Sequence, residues 1–277
     1  VPLLYRARRS AIIGDPNQLR HITEMKREEE ANLAREAGAE DLLPEWSYVK
    51  RSLYDRTEEA LADRGEKPIL LRRHYRSHPA VIGFSNERFY QGRLRPMRKA
   101  EDFSVPEEWR GLRWFNVEGA VPSGIRSAYN DREIEAIVRL LGTWATEGML
   151  GSEGLSIGVV TPFRAQEERI REKAEAQEWW RELENQLGEV PATIGTIHRY
   201  QGDERDLMIF SPVVAPGMKK YTERWVAETE QLLNVAITRA RASLQVVGHL
   251  DRCRRAGGDL GAFAHHVSET EVRKEFE

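Results

Sequence analysis

Apolar residues in this chain follow two rhythms. Short continuous runs at 11–13, 69–71, 112–116, 155–160, 193–197, 207–214 and 244–247 read as strands buried on both faces. Between them the spacing turns helical, at 80–90, 131–146, 165–184 and 228–238. The clearest helix is 131–146, where Ile134, Ile137, Val138, Leu141 and Trp144 share one face. Asn130, with Glu133 three residues on, predicts a capping box at its start. Strands alternating with helices predict an α/β fold with a mostly parallel sheet, joined by right-handed crossovers and flanked by helices. The segment 25–40 breaks the pattern: it is charged and Ala-rich, which predicts a solvated helix, and Glu28-Glu29-Glu30 argues against nucleic acid there.

Polar clusters abut these runs. Thr196-Ile197-His198-Arg199-Tyr200-Gln201-Gly202-Asp203-Glu204 precedes 207–214, and Asn234–Arg241 precedes 244–247. Arg72–Pro79 follows 69–71, and Gly14-Asp15-Pro16-Asn17-Gln18-Leu19 follows 11–13. Polar groups at the ends of buried parallel strands sit where open α/β sheets place ligands. An arginine there keeps its charge and suits a phosphate.

With these clusters in order, the chain resembles a superfamily 1 helicase, of the branch that includes the RNA helicase of nonsense-mediated decay and related DNA helicases. Gly14–Leu19 resembles motif III, Tyr75–Pro79 motif IV, Thr196–Glu204 motif V and Asn234–Arg241 motif VI. The run Ile157–Gln166 is similar to a nucleic-acid-contacting segment of that branch. The resemblance spans nearly the whole chain except 24–67 and the last 25 residues or so. It implies a RecA-like fold that uses ATP and Mg2+ and moves 5′-to-3′ along single-stranded DNA or RNA. Arg76 and Arg239 would be arginine fingers, and Gln18 would sense the γ-phosphate with Asp15 near magnesium. Tyr75 would stack on adenine, while Glu204, after the turn at Gly202, would hold the ribose. Thr161, Thr196 and His198 would touch the nucleic-acid backbone.

Each residue also has a plainer structural reading. Arg239 can cap a helix C-terminus, and Arg241 reads equally as an exposed helix-end arginine. Tyr75 can be a core-edge aromatic and Glu204 a surface carboxylate. Thr161 and Thr196 can cap the turns that follow them, and His198 can be a satisfied structural histidine. Phe163 and Tyr200 read as core. His74 and His78 lie close, but no third ligand has metal spacing, so no metal site is expected.

The sequence contains no G-x-x-x-x-G-K-S/T loop and no apolar strand ending in Asp-Glu, so the RecA-like fold lacks its own P-loop. In the resembled family both lie N-terminal to motif III. The expectation is therefore a C-terminal helicase part, inactive alone and partnered by a first RecA-like domain. On this reading 1–23 is a remnant of that first domain, 24–67 a helical connection and 68–277 the second RecA-like domain. A non-catalytic nucleic-acid-binding or regulatory module, or a helicase domain fused to a nuclease, stays open. Composition narrows this modestly. With 42 basic and 45 acidic residues the net charge is −3, so any nucleic-acid groove must be a local patch. A single cysteine, Cys253, excludes an internal disulfide framework and suits a reducing compartment, cytoplasmic or nuclear. No apolar stretch is long enough to cross a membrane.

Overall fold

Hydrophobic runs too short for helices and bounded by breakers become the strands of one parallel sheet. The computed structural model describes residues 6–19, 23, 25–150, 155–200, 203–270 and 272–274. Two compact units divide the chain, 1–71 and 72–277.

In the first unit, α1 (Arg27–Glu36), a single turn α2 (Leu43–Trp46) and α3 (Leu53–Ala62) are the α-helices over 25–71. Glu30 ties α1 to the turn after α2, accepting from the Ser47 hydroxyl at 2.7 Å and the Val49 amide at 3.2 Å. A capping box of Ser52 and Asp55 starts α3. The expected strand at 11–13 does not form. Ile13 is 88% exposed and, with no strand paired to it, remains irregular chain.

The second unit begins with a two-residue pair, β1 (Arg73–His74) against β2 (Arg95–Pro96), flanking α4 (Pro79–Tyr90). The expected strand at 69–71 also fails, with Ile69 90% exposed, and extended pairing starts only at Arg73. The main sheet holds β3 (Gly111–Asn116), β4 (Ile157–Thr161), β5 (Thr193–Thr196), β6 (Arg205–Phe210), β7 (Ala240–Gly248) and β8 (Val272–Lys274). Its order is β5-β4-β6-β7-β3-β8, and every pairing is parallel.

Helices cover both faces. On one lie α5 (Asp131–Thr146), α6 (Arg164–Glu175) and α7 (Glu178–Leu187), whose Ile134, Ile137, Leu141, Ile170 and Trp180 join Phe115, Val159 and Ile209 in one buried core. On the other, α4, α9 (Glu230–Thr238) and α11 (Gly258–Thr270) pack with α8 (Lys220–Glu228) and α10 (Leu250–Ala256). There Trp114, on the opposite side of β3 from Phe115, lies 6.3 Å from Phe263, which in turn meets Phe84 at 5.0 Å.

The structure alters three other local expectations. The single helix at 165–184 is two, broken at Ala176 and Gln177. Six residues of unbroken helix advance about 240°, which would turn Trp180 away from the face carrying Ala174; the break lets both be buried. The strand at 207–214 stops at Phe210, because Pro212 has no amide to donate and Val213 turns the chain at φ 64°. Finally, Asn130 does cap α5, accepting from the Arg132 amide at 3.1 Å, but no capping box closes. The Asn130 amide goes instead to Gln166 Oε1 at 2.9 Å, and Glu133 points into the core.

Candidate functional site

Parallel pairing puts the starts of β6 and β7 side by side, with Arg205 in register with Ala240. The residues just before those starts, Glu204 and Arg239, therefore meet at the amino edge of the sheet. A third segment joins them because the His78 amide donates to the Arg241 carbonyl at 2.6 Å. His78 then caps α4, its Nδ1 accepting from the Ala80 amide, and Pro79 occupies the first helical turn. The segment 74–78 is thus held against the start of β7.

The charges at this edge are tightly arranged. Glu204 sits between two guanidiniums: its Oε2 pairs with Arg76 Nε, and its Oε1 accepts from Arg241 Nε at 2.7 Å and Nη2 at 2.6 Å. Arg76 also donates to the Thr238 carbonyl at 3.4 Å. Arg239, 2% exposed, is the C-cap of α9 and donates to the carbonyls of Tyr200 at 3.4 Å and Asp203 at 3.1 Å. Burial, then the charge of Arg76, pulls its pKa below the ordinary guanidinium range, while Glu204 and Asp203 oppose the shift. A guanidinium still keeps its proton at neutral pH. His74 accepts from the Ser77 amide through Nε2 at 3.0 Å, which requires a neutral ring on that nitrogen. Burial and Arg76 together push the His74 pKa down. Tyr75 is 57% exposed beside this cluster. Two arginines paired with one carboxylate and a third buried beside them suit a polyphosphate.

The other candidates lie at the carboxyl edge. Thr161 ends β4 and Thr196 ends β5, in register with each other. The Thr161 side chain is buried and accepts from the Phe163 amide at 3.4 Å, while Thr196 is half-buried and its carbonyl accepts from Arg199 at 2.9 Å. His198 is exposed. Four residue steps of β4 separate the two edges by about 13 Å. The arginine cluster thus occupies strand starts, not the carboxyl ends where open sheets usually bind ligands. Phe163 and Tyr200 are both buried, as core residues.

Beneath the carboxyl edge runs a buried polar network. Glu133 accepts from Asn130 Nδ2 at 3.0 Å, the Ser211 hydroxyl at 2.6 Å and the Val213 amide at 3.1 Å. Gln166 donates to Ser211 at 3.0 Å. Three donors favour the carboxylate, yet full burial outweighs them and raises the Glu133 pKa to about 7.

Asp15 and Gln18 belong to the first unit. Asp15 accepts from the Asn17 amide at 3.0 Å and from Gln18 Nε2 at 3.0 Å, closing a tight turn. Gly202, with Gln201, lies outside the described residues. Sequence reasoning left Arg241 open and did not single out His74 for this edge. The signal for Arg241 was its place two residues after Arg239 at a strand start. The arginine cluster fits the phosphates of ATP. For Mg2+ the described residues offer no converging group of three His, Cys, Asp or Glu side chains, so no step is assigned to the metal here.

Residues 49–251 match a family described as an AAA domain, AAA_12. Helicase sen1 of Schizosaccharomyces pombe is 27% identical over 263 residues, covering 91% of this chain and 14% of the relative. Putative helicase mov-10-B.1 of Danio rerio is 27% identical, covering 94% of this chain and 28% of the relative. The 5'-3' DNA helicase ZGRF1 of Mus musculus is 28% identical, covering 96% and 13%. The chain thus spans from about an eighth to just over a quarter of the length of these relatives.

Proposed function

Because the chain belongs to this AAA-domain family, as part of the C-terminal domain of superfamily 1 helicases, we propose that it forms the second half of an ATP-driven engine moving along single-stranded nucleic acid. The observation that carries this reading is the amino-edge cluster, with Glu204 between Arg76 and Arg241 and Arg239 buried beside them. ATP, held mainly by a first RecA-like domain and accompanied by Mg2+, supplies the phosphoryl group. Arg76 and Arg239 neutralise charge as it spreads over the phosphoryl oxygens. Glu204 retains a lone-pair site on Oε2, enough to accept one ribose hydroxyl. The exposed ring of Tyr75 stacks on adenine, and Gly202 permits close backbone approach. Gln18, with Asp15, orients the attacking water. Thr161, Thr196 and His198 take backbone phosphates of DNA or RNA, which position the strand without reading its bases. The name of ZGRF1 supports 5′-to-3′ movement.

Arg239 also holds two backbone carbonyls, so its alanine variant would mix folding with chemistry. The cleaner test is Arg76→Lys and Arg239→Lys in a helicase that joins this domain to a P-loop domain. Strand-stimulated kcat should fall by on the order of 10³-fold, since finger contacts strengthen in the transition state. KM for ATP should change little. Unchanged kcat in both variants would refute the finger roles. The 277-residue chain alone should hydrolyse no ATP above background, having no phosphate-cradling loop. Turnover that follows the protein through successive columns would overturn that part of the reading.

A further inference from the structure

Helix α8 belongs to none of the motifs above, yet it runs along the carboxyl edge. At one end the Trp225 ring meets Phe163, two residues past Thr161, at 5.8 Å edge-on. Glu223 pairs with Arg252, just past the end of β7, at 2.6 Å. Val226 and Ala227 are buried. Four residues apart, Tyr221 and Trp225 share the outer face, and they are 71% and 41% exposed.

The charges around these rings are uneven. Arg164, Arg199 and Arg224 are each paired with a glutamate, at 2.8, 3.0 and 2.7 Å respectively. Lys219 and Lys220, exposed at the start of α8, make no ion pair among the described residues. In a chain of net charge −3, two unpaired lysines beside two exposed rings are a local fit for a polyanion with flat, apolar parts.

We propose that α8 is a base-stacking platform for single-stranded nucleic acid. Tyr221 and Trp225 each receive an unpaired base, and Lys219 and Lys220 take adjacent phosphates. The proposal rests on reading the carboxyl edge as the strand's path. Four residues of helix rise about 6 Å, against about 3.4 Å per nucleotide in a stacked strand. A strand bound here is therefore stretched, with successive bases on separate rings. Every base has a π face, so the platform accepts any sequence.

The test measures binding of the chain at low salt to two labelled oligomers of equal length, oligo-dT and a fully abasic strand. Tyr221→Ala and Trp225→Ala should each weaken dT binding by about 5- to 100-fold and leave abasic binding nearly unchanged. Tyr221→Phe and Trp225→Phe should restore most of the dT affinity. Lys219→Ala and Lys220→Ala should weaken both oligomers and lower the salt slope by about 0.7 each. Thermal melts confirm that the variants are folded, which the exposure of Tyr221 favours. If the wild type binds dT and the alanine variants bind it equally well, or lose dT and abasic binding equally, the platform is refuted while the strand path stands. Wild-type chain that binds neither oligomer refutes both.

Discussion

Glu133 is fully buried where α5 meets the turn after β6, and its carboxyl is pushed up to about 7 chiefly by loss of water. The sign of its effect follows from the raised value. The folded state holds the proton more tightly than the unfolded chain, so this group's contribution is fully present below about pH 4.5 and is lost as pH rises through about 7. A shift of some 2.5 units corresponds to about 3 kcal/mol. Unfolding free energies of wild type and Glu133→Gln, measured by urea titration from pH 5 to 8, should differ by an amount that changes by about three quarters of that. A flat difference curve would mean that Glu133 is ionised throughout. His74 and His78 act in the opposite sense. Burial lowers both, so their contribution is lost as pH falls below the ordinary imidazole range. For His74 the cost is concrete: protonation would set its Nε2 against the Ser77 amide that now donates to it.

Between β5 and β6 the chain crosses β4 in only eight residues, 197–204, where parallel crossovers usually need a dozen or more. Small residues make this short path feasible. Tyr200 lies over Gly158 and Gly195, and its hydroxyl donates to the Thr193 carbonyl. A Cβ on Gly158 would lie 2.6 Å from the Tyr200 oxygen, and one on Gly195 would lie 3.1 Å from the ring. Arg239 then fastens the far end of the crossover by its bonds to Tyr200 and Asp203. The element that delivers Glu204 to the arginine cluster is therefore built on a glycine floor. Gly158→Ala should destabilise the chain by about 1–3 kcal/mol through overpacking. Paired with Tyr200→Phe, which removes the nearest atom, the loss should be smaller than the sum of the two single variants. Strict additivity in urea denaturation would show that the collision is relieved elsewhere.

For the whole molecule, the boundary between the two units coincides with a segment, 63–72, that forms neither helix nor strand and exposes Ile69 and Leu71. Arg64 and Arg72 in it are exposed tryptic sites, whereas Pro68 blocks cleavage after Lys67. Irregular exposed backbone is where proteases cut first. Brief trypsin treatment followed by mass spectrometry should yield a resistant fragment starting between Gly65 and Arg73 and containing the six-stranded sheet. A first stable fragment that spans 63–72 intact would show that the segment is protected.

The amino-acid pattern by itself determined the α/β class, all the inner strands of the sheet and the full extent of α5, because buried parallel strands and amphipathic helices write their periodicity directly into the chain. It also marked the polar clusters beside apolar runs that hold Arg76, Glu204 and Arg239, while the choice of these three within the clusters came from the resemblance to superfamily 1 helicases. It could not tell strand starts from strand ends as ligand positions; parallel register decided that, by setting Glu204 and Arg239 side by side and Thr161 at the opposite edge. It read 11–13 and 69–71 as strands because local hydrophobicity carries no information about whether a pairing partner exists. The turn of Glu133 away from the Asn130 amide was likewise a tertiary outcome, fixed when Gln166 and Ser211 arrived from other elements. The unpaired face of α8 was invisible for the same reason, because exposure is a property of the packed whole, not of any one residue's neighbours in sequence.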